Sequence, residues 1–528
     1  MKNIFYSLIA LALLFSSSCT NLDVAPEDAF TEDEIFKDVN AYRAYLAKNY
    51  AAFSHTGQDG PAGNADISIV NDEGFTSYNR VYWKAQQLTT DETVISWTDA
   101  GIQDLHTHTW TSENQFVRVL YYRIALIVSI SNDFIRQSTD DKLGTNGITG
   151  TDADEVRAYQ AEARFLRALA YWHALDLFRS IPLVTEISTD LPSKATAQEI
   201  YDFIESELKE IESLLPAPGT NEYGRADQGA LWMLQAKLYL NASHLTGQDK
   251  WTECIDACKK VIGAGYQLDE EYQHLFLADN HLSNEIIFPL IADGRFAQNW
   301  GSTTFLVHGA MGGTMDDDAD ETLATYGVTG GWGGMRATSS LVEKFPDVTG
   351  DIDNRAIFYT DGQTLEIDDL LEFTEGYAVP KFKNLSRDGT PGSDLTHADI
   401  DYPMFRLGDA YLMYAEAILR GGTGGDMGEA IGYINDLRNR AYDNDPAGQV
   451  TMEEVDLPFI LDERSREMYW EGTRRIDLIR FEQFSTSGIW PWKGGVKEGM
   501  TTEAKRDFFP LPASDLLANP NLEQNEPY

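Results

Sequence analysis

The apolar positions of this chain recur most often at intervals of three and four, the spacing that puts them on one face of a helix. Between residues 154 and 178, Ala158, Ala161, Phe165, Ala168, Trp172 and Leu175 keep that period. Ile181-Pro182 then stops it, because proline lacks the amide a helix needs. Residues 196–215 and 226–245 read the same way, the second with Leu231, Leu234 and Leu238 along one side. Residues 250–262 pair naturally with that segment through Ile255, Cys258 and Ile262. Further on, Leu407, Tyr411, Tyr414 and Ile418 form a stripe ended by Gly421-Gly422. Ala430, Ile434, Leu437 and Ala441 form the next, and 457–484 predicts a third helix.

Successive helix pairs of this length predict an all-α fold of tetratricopeptide-like hairpins, each burying its face against a neighbour. No clean repeat of roughly 34 residues recurs, so the units are degenerate. Regions 54–110 and 280–400 behave differently, being rich in Gly, Asp, Thr and aromatics without a sustained period. Long irregular stretches in a folded chain usually carry function, so these read as large loop excursions. No Pro/Ser linker separates the parts, and residues 19–528 read as one domain.

The first eighteen residues read as an export signal peptide: Lys2 is the only charge, residues 4–15 are apolar, and Ser16, Ser17 and Ser18 are small. That run is shorter than the ~20 apolar residues of a membrane span. Cys19 follows at once, as in a bacterial lipobox, although Ser16 stands where a large apolar residue is usual. Cys19 is therefore the candidate lipidation site, tethering the mature chain by its first residue.

Charge narrows the ligand class. With 41 basic and 84 acidic residues the chain carries a formal charge of −43. A polyanion such as nucleic acid needs a basic face, so nucleic-acid binding is excluded, whereas neutral ligands suit an acidic surface. After Cys19 only Cys254 and Cys258 remain, too few for a disulfide scaffold. His244, His274 and His281 show no zinc-ligand spacing, and Cys258 lies on an apolar stripe, so the cysteines read as buried small residues.

Three features carry candidate chemistry. In ILDERSREMYWEGTRRIDLIRF, residues 460–481, Glu463, Glu467 and Glu471 share one helical face, with Arg464, Arg466, Arg474, Arg475 and Arg480 around them. Arginines within helical reach favour the charged carboxylates, which predicts a structural ion-pair network rather than a general acid. Asp316, Asp318 and Asp320 alternate like the start of a calcium loop, but Glu321 and Gly327 stand where the EF-hand requires glycine and glutamate. The expectation is a solvated acidic loop and no cofactor, with a structural calcium ion of some other kind as the alternative. No phosphate loop, HExxH or GxSxG occurs, so the chain is not expected to be an enzyme. Trp332 in TGGWGG has no bulky sequence neighbour to bury it, and Trp300 in AQNWGSTT and Trp97 in VISWTDAG lie in similar loops. Each is either a loop anchor or a platform for a pyranose ring. One such contact burying about 80 Å² at ~25 cal/mol/Å² contributes roughly 2 kcal/mol.

Together these pieces resemble the SusD/RagB family of outer-membrane nutrient-binding lipoproteins. The resemblance rests on Cys19 after the signal, AEARFLRALAYWHALDLF at 161–178, SIPLV at 180–184, RLGDAYLMYAEA at 406–417, the helix around Glu463 and the C-terminal NPNLEQNEPY. Arg179 departs from it, where many relatives have glycine. TTDE at 89–92, YGRADQGALWMLQAKLYLNA at 223–242, FLADN at 276–280 and WKGG at 492–495 are similar to the family's starch-binding founder. The resemblance implies an aromatic arc built from Trp97, Trp300 and Trp332, with Asp72 and Arg80 as hydrogen-bonding groups. Ala100 falls where the founder has asparagine, with Asp99 or Asp104 as the nearby substitutes. It further implies a cell-surface protein that captures oligosaccharide or polysaccharide, α-glucan first, and delivers it to a SusC-like TonB-dependent transporter. The alternatives are a peptide- or other-nutrient-binding RagB-like lipoprotein and a surface glycoside hydrolase.

Overall fold

The computed structural model describes residues 35–61, 63–67, 74–316 and 318–528. The signal peptide, Cys19 and Asp72 lie outside the described residues. The principal helices are α1 (Val39–Ala51), α2 (Tyr78–Gln87), α3 (Gln115–Gln137), α4 (Thr151–Phe178), α5 (Ala197–Ile211), α6 (Gln228–Leu240), α7 (Trp251–Ile262), α8 (Ser302–Gly309), α9 (Leu407–Leu419), α10 (Met427–Ala441), α11 (Leu457–Met468) and α12 (Arg474–Arg480). Helix α3 packs on α4, and α4 on α1 and α5; α6 packs on α7, α7 on α9, and α9 on α10 and α11. This is the expected succession of antiparallel hairpins.

Local chemistry fixes the hairpin ends. Thr196 and Glu199 form a reciprocal capping box at the start of α5, and Asp227, Asp426 and Asp456 accept backbone N–H groups at the starts of α6, α10 and α11. Cys254 and Cys258 are fully buried one turn apart on α7, as small core residues, their thiols in weak hydrogen-bond contact at 4.0 Å and not joined in a disulfide. Asp318 caps the short helix Ala319–Tyr326 by accepting from Asp320 N, so the acidic run begins a helix. Among the described residues no helix is long and apolar enough to cross a membrane.

Two parts of the chain differ from the sequence expectation. Residues 457–484 are two helices, because the backbone turns left-handed at Trp470 (φ 64°) and Gly472 (φ 71°) between α11 and α12. The stretch 54–110, expected to be irregular, contains α2. All ten of its residues are buried, including Asn79, Arg80, Lys84, Gln86 and Gln87, so no polar face marks it as a helix. Arg179 ends α4 at φ 65°, ψ −65°, a region that costs a side-chain-bearing residue energy. Its amide closes the helix on Leu175 O, and its guanidinium meets His244.

Short antiparallel strands interrupt the helices where the loops cross. β1 (Thr93–Ile95), β3 (Met335–Ala337) and β4 (Tyr377–Ala378) form one small sheet with β3 central. β2 (Ile286–Leu290) pairs with β5 (Tyr402–Arg406) in another.

The Glu463 cluster is the electrostatic centre of the core. Glu463, Glu467 and Glu471 are buried with Glu285 and Asp353, and the expected partners within helical reach are mostly not the ones they find. Only Arg466 pairs with Glu463 along the helix; Arg464 turns to Asp409 and Asp477, Arg474 to Asp91, and Arg480 to Glu416 and Asp477. The three glutamates instead meet cations from elsewhere. Arg355 bonds Glu463 (2.8 Å) and Glu467 (3.1 Å), Arg406 bonds Glu467 (2.7 Å) and Glu471 (2.6 Å), and Arg440 bonds Glu467 (2.6 Å). Glu471, beyond the end of α11, also receives Lys381 at 2.9 Å. Burial alone would raise the Glu467 carboxyl; Arg440, Arg406 and Arg355 outweigh it and hold the group at about 2. Ion pairs tie residues 463–471 to the four distant segments that bear Arg355, Lys381, Arg406 and Arg440, a structural network as expected.

Candidate tryptophan shelf

Strand register brings two of the three tryptophans together. Ile95 of β1 opposes Met335 of β3, so the chain leaving β1 runs back along the chain entering β3. Ser96 continues the pairing, its amide donating to Gly334 O (2.9 Å) and its hydroxyl to Gly333 O (2.5 Å). Trp97 and Trp332 are then neighbours, with ring centroids 6.2 Å apart and planes inclined at 46°. The Trp97 indole N–H donates to Trp332 O at 3.1 Å, while Gln103 donates to Trp97 O at 2.9 Å. Gly334 has to be glycine here: a Cβ would sit 2.7 Å from the Trp97 ring.

Trp300 reaches the same place from another direction. It ends the turn before α8, where Gly301 donates to Asn299 Oδ1 (2.9 Å) and passes so close to Ser77 that a Cβ would overlap its hydroxyl. Its ring centroid lies 6.2 Å from that of Trp332 at 49°. Trp332 is therefore central, with an inclined tryptophan on each side. All three rings are half-buried, so each is held and each keeps surface toward solvent. The absence of bulky sequence neighbours around Trp332 does not leave it unsupported, since its partners arrive from three other segments of chain.

Arg80, on α2, lies beneath this shelf. Its guanidinium carbon is 4.7 Å from the Phe305 ring centre, 5.6 Å from that of Trp332 and 5.7 Å from that of Trp97, and Nη1 donates to Trp300 O (2.8 Å) and Gly74 O (3.0 Å). A cation facing aromatic rings in a largely desolvated site is worth about 1–2 kcal/mol. Arg80 is thus a support for all three tryptophans. Ala100 and Asp99 are exposed next to the shelf; Asp104 accepts from Thr109 (3.2 Å) and Asn114 (3.3 Å), which ties its carboxylate into its own loop.

Two histidines belong to the assembly that sequence reasoning did not single out. His308, near the end of α8, stacks on Trp332 with centroids 4.9 Å apart and planes 14° from parallel. His397 lies 4.6 Å from Trp300 at 57°. Both are buried. Burial lowers His308 below the usual histidine range, against the opposing pull of the Gly330 and Thr396 carbonyls.

The carboxyls raised furthest toward neutrality, Glu92 at about 7 and Asp401 at about 6, owe this first to burial, and both are sequestered from solvent. Glu92 accepts from Ser465 at 2.6 Å and Asp401 from Tyr223 at 2.7 Å. Among the described residues no three His, Cys, Asp or Glu side chains group as metal ligands would.

Residues 346–528 match the family model described as the SusD family, and residues 62–240 match that described as starch-binding associating with outer membrane. The starch-binding protein SusD of Bacteroides thetaiotaomicron is 34% identical over 575 aligned residues, covering 99% of this chain and 98% of SusD. The chain belongs to the SusD family. SusD-like protein P2 of Formosa agariphila is 23% identical across the full length of both chains. Among solved structures, a SusD superfamily protein of Bacteroides vulgatus superposes with a TM-score of 0.71 at 19% identity, covering 93% of this chain and 100% of the other. Surface glycan-binding protein A of Bacteroides thetaiotaomicron, in complex with laminarihexaose, superposes with a TM-score of 0.69 at 18% identity, covering 92% and 99%. The SusD-type helical fold accounts for the hairpins, and the tryptophan shelf is built on the loops between them.

Proposed function

We propose that this protein is a non-catalytic, cell-surface lipoprotein that captures glycan on the Trp97–Trp332–Trp300 shelf and hands it to a SusC-like TonB-dependent transporter in the outer membrane. The observation that carries the reading is the convergence of three half-buried tryptophans from separate loops, each braced from below and each keeping an open edge or face. Flat indole surface removes the C–H face of a pyranose from water while the sugar hydroxyls stay solvated. A starch-binding relative at 34% identity and a glycan-binding structural neighbour support the ligand class. Maltooligosaccharide is the favoured glycan, because successive ring planes inclined by 46° and 49° suit an α-1,4 chain whose glucose faces turn with it better than a flat β-1,4 chain. Asp72 and Arg80 complete the proposed site, Arg80 acting through the tryptophans it supports. Cys19 supplies the anchor.

The hydrolase alternative requires two carboxyls spanning a bound glycosidic bond. Glu92 and Asp401, the carboxyls raised furthest toward neutrality, are buried beneath the surface, and Glu463 and Glu467 are held ionised by arginine, which is the wrong state for a general acid. Affinity electrophoresis across soluble polysaccharides, followed by a reducing-end assay, separates the readings. Retardation by amylopectin without new reducing ends is the expected result. Release of reducing ends establishes the hydrolase, and retention of peptide in place of glycan establishes the RagB-like alternative.

A further inference from the structure

The geometry points to His308 and His397 as positioning residues that lock Trp332 and Trp300 into one rigid pair of sugar platforms, an inference that rests on the glycan-binding reading above. His308 is linked to both tryptophans. Its ring lies nearly parallel to Trp332 and covers one indole face. Its Nδ1 is 2.7 Å from Gly330 O, two residues before Trp332, and its backbone oxygen accepts from Trp332 N at 2.8 Å. On its far side, Nε2 is 2.9 Å from Thr396 O.

Thr396 leads directly to the second histidine. His397 Nδ1 is 3.0 Å from Asn299 O, at the residue before Trp300, and its ring packs against the Trp300 indole. The segment between the two contacts is itself pinned. Asp394 accepts from the amides of Thr396 and His397, each at 2.8 Å, and Ala398 N donates to Thr304 Oγ1 at 3.0 Å, back on the helix that bears His308. The connections close into a loop that runs from Trp332 through His308, Thr396, His397 and Asn299 to Trp300. A shift of either indole has to strain that circuit.

The donor count of imidazole gives this brace a signature that ordinary core packing lacks. Neutral histidine carries one N–H and satisfies one of the two flanking carbonyls; the imidazolium donates to both. The groups facing His308 are Asp316 and His397, together with the Arg80 guanidinium against the same Trp332 ring. Burial keeps His308 neutral at pH 7, so its proton arrives below the usual histidine range. A charged imidazole stacked on indole alters the indole emission. Trp332 should therefore report the titration of His308.

The test uses the full-length protein and the variants His308→Phe, His308→Gln and Trp332→Phe, each checked by thermal melting, with maltoheptaose as probe. His308→Phe keeps a flat ring but removes both ring nitrogens, and with them the one N–H of the neutral imidazole. It should weaken maltoheptaose binding by about two- to tenfold, the loss of one ordinary hydrogen bond. His308→Gln restores an amide donor and should recover most of that loss. In the absence of sugar, the Trp332 emission, taken as wild type minus Trp332→Phe, should show a step below pH 6.5 that disappears when His308→Phe is added to both. Persistence of the step in His308→Phe overturns the brace whatever the sugar result. So does a folded His308→Phe protein that binds maltoheptaose as wild type does. If wild type ignores maltoheptaose but the emission step behaves as described, the α-glucan assignment fails and the histidine brace stands.

Discussion

Replacing Glu467 by alanine tests how the buried charge cluster works. The carboxylate is fully buried and bonded to Arg406 (2.7 Å), Arg440 (2.6 Å) and Arg355 (3.1 Å). Removing one partner of a buried ion pair typically costs about 3–5 kcal/mol, because the remaining charge stays desolvated without its counter-ion. Here Arg355 keeps Asp353 and Glu463, and Arg406 keeps Glu285 and Glu471, but Arg440 is left with Glu285 alone. No guanidinium is wholly orphaned, so the lower end, about 3 kcal/mol, is expected. A chain of this length unfolds with an entropy of roughly 1 kcal/mol/K at about 2.1 cal/mol/K per residue, so Tm should fall by about 3 °C. Glu467→Gln, which keeps the volume and one acceptor, should lose less. Differential scanning calorimetry reads both, and glycan binding by the folded variants should be unchanged. An unaltered Tm, or stable Glu467→Ala protein that has lost a glycan-cleaving activity, would refute the structural account of the cluster.

Three further outcomes are expected. Glu467 and Glu416 are held near 2 because neighbouring arginines outweigh burial, so the stability they contribute is complete above the unfolded value near 4.5 and drains as pH falls toward 2; urea midpoints should drop steeply as pH falls below about 4.5. Gly334→Ala places a methyl 2.7 Å from the Trp97 ring and should push the indole off its bond to Trp332 O, weakening glycan binding about tenfold in calorimetry while the protein stays folded. Cys19→Ala should move the protein from the membrane fraction to the soluble fraction, since lipid chains supply the anchor; firm retention in the membrane places the anchor elsewhere.

Helices α5 and α7 were legible because one face of each is apolar and the other wet: α5 buries Ile200, Ile204, Leu208 and Ile211, and α7 buries Cys254, Ile255, Cys258 and Val261. Helix α2 was not, because burial on all sides erases the alternation on which the reading depends, and its Arg80 and Lys84 look like loop residues until the aromatics above them are seen. The break between α11 and α12 had a visible mark in Gly472, overridden by the regular spacing of arginines on either side. Ion-pair partners were legible in kind but not in identity. Arg355, Arg406 and Arg440 come from segments far along the chain, and helical spacing reports only neighbours three and four residues away. The tryptophans of the shelf stood out as isolated aromatics among glycines. Their convergence, and the two histidines behind them, depend on the β1–β3 register and on the 394–399 segment, neither of which leaves a periodic trace.

The central claim, that the shelf is a glycan site, is tested most directly by titrating maltoheptaose calorimetrically into wild type, Trp300→Ala and Trp332→Ala, with melting temperatures matched. Loss of one platform should cost roughly 1.5–2.5 kcal/mol, or about ten- to seventyfold in affinity. Folded variants that bind maltoheptaose undiminished would contradict the site, and a wild type that ignores maltoheptaose while retaining another polysaccharide would contradict the sugar.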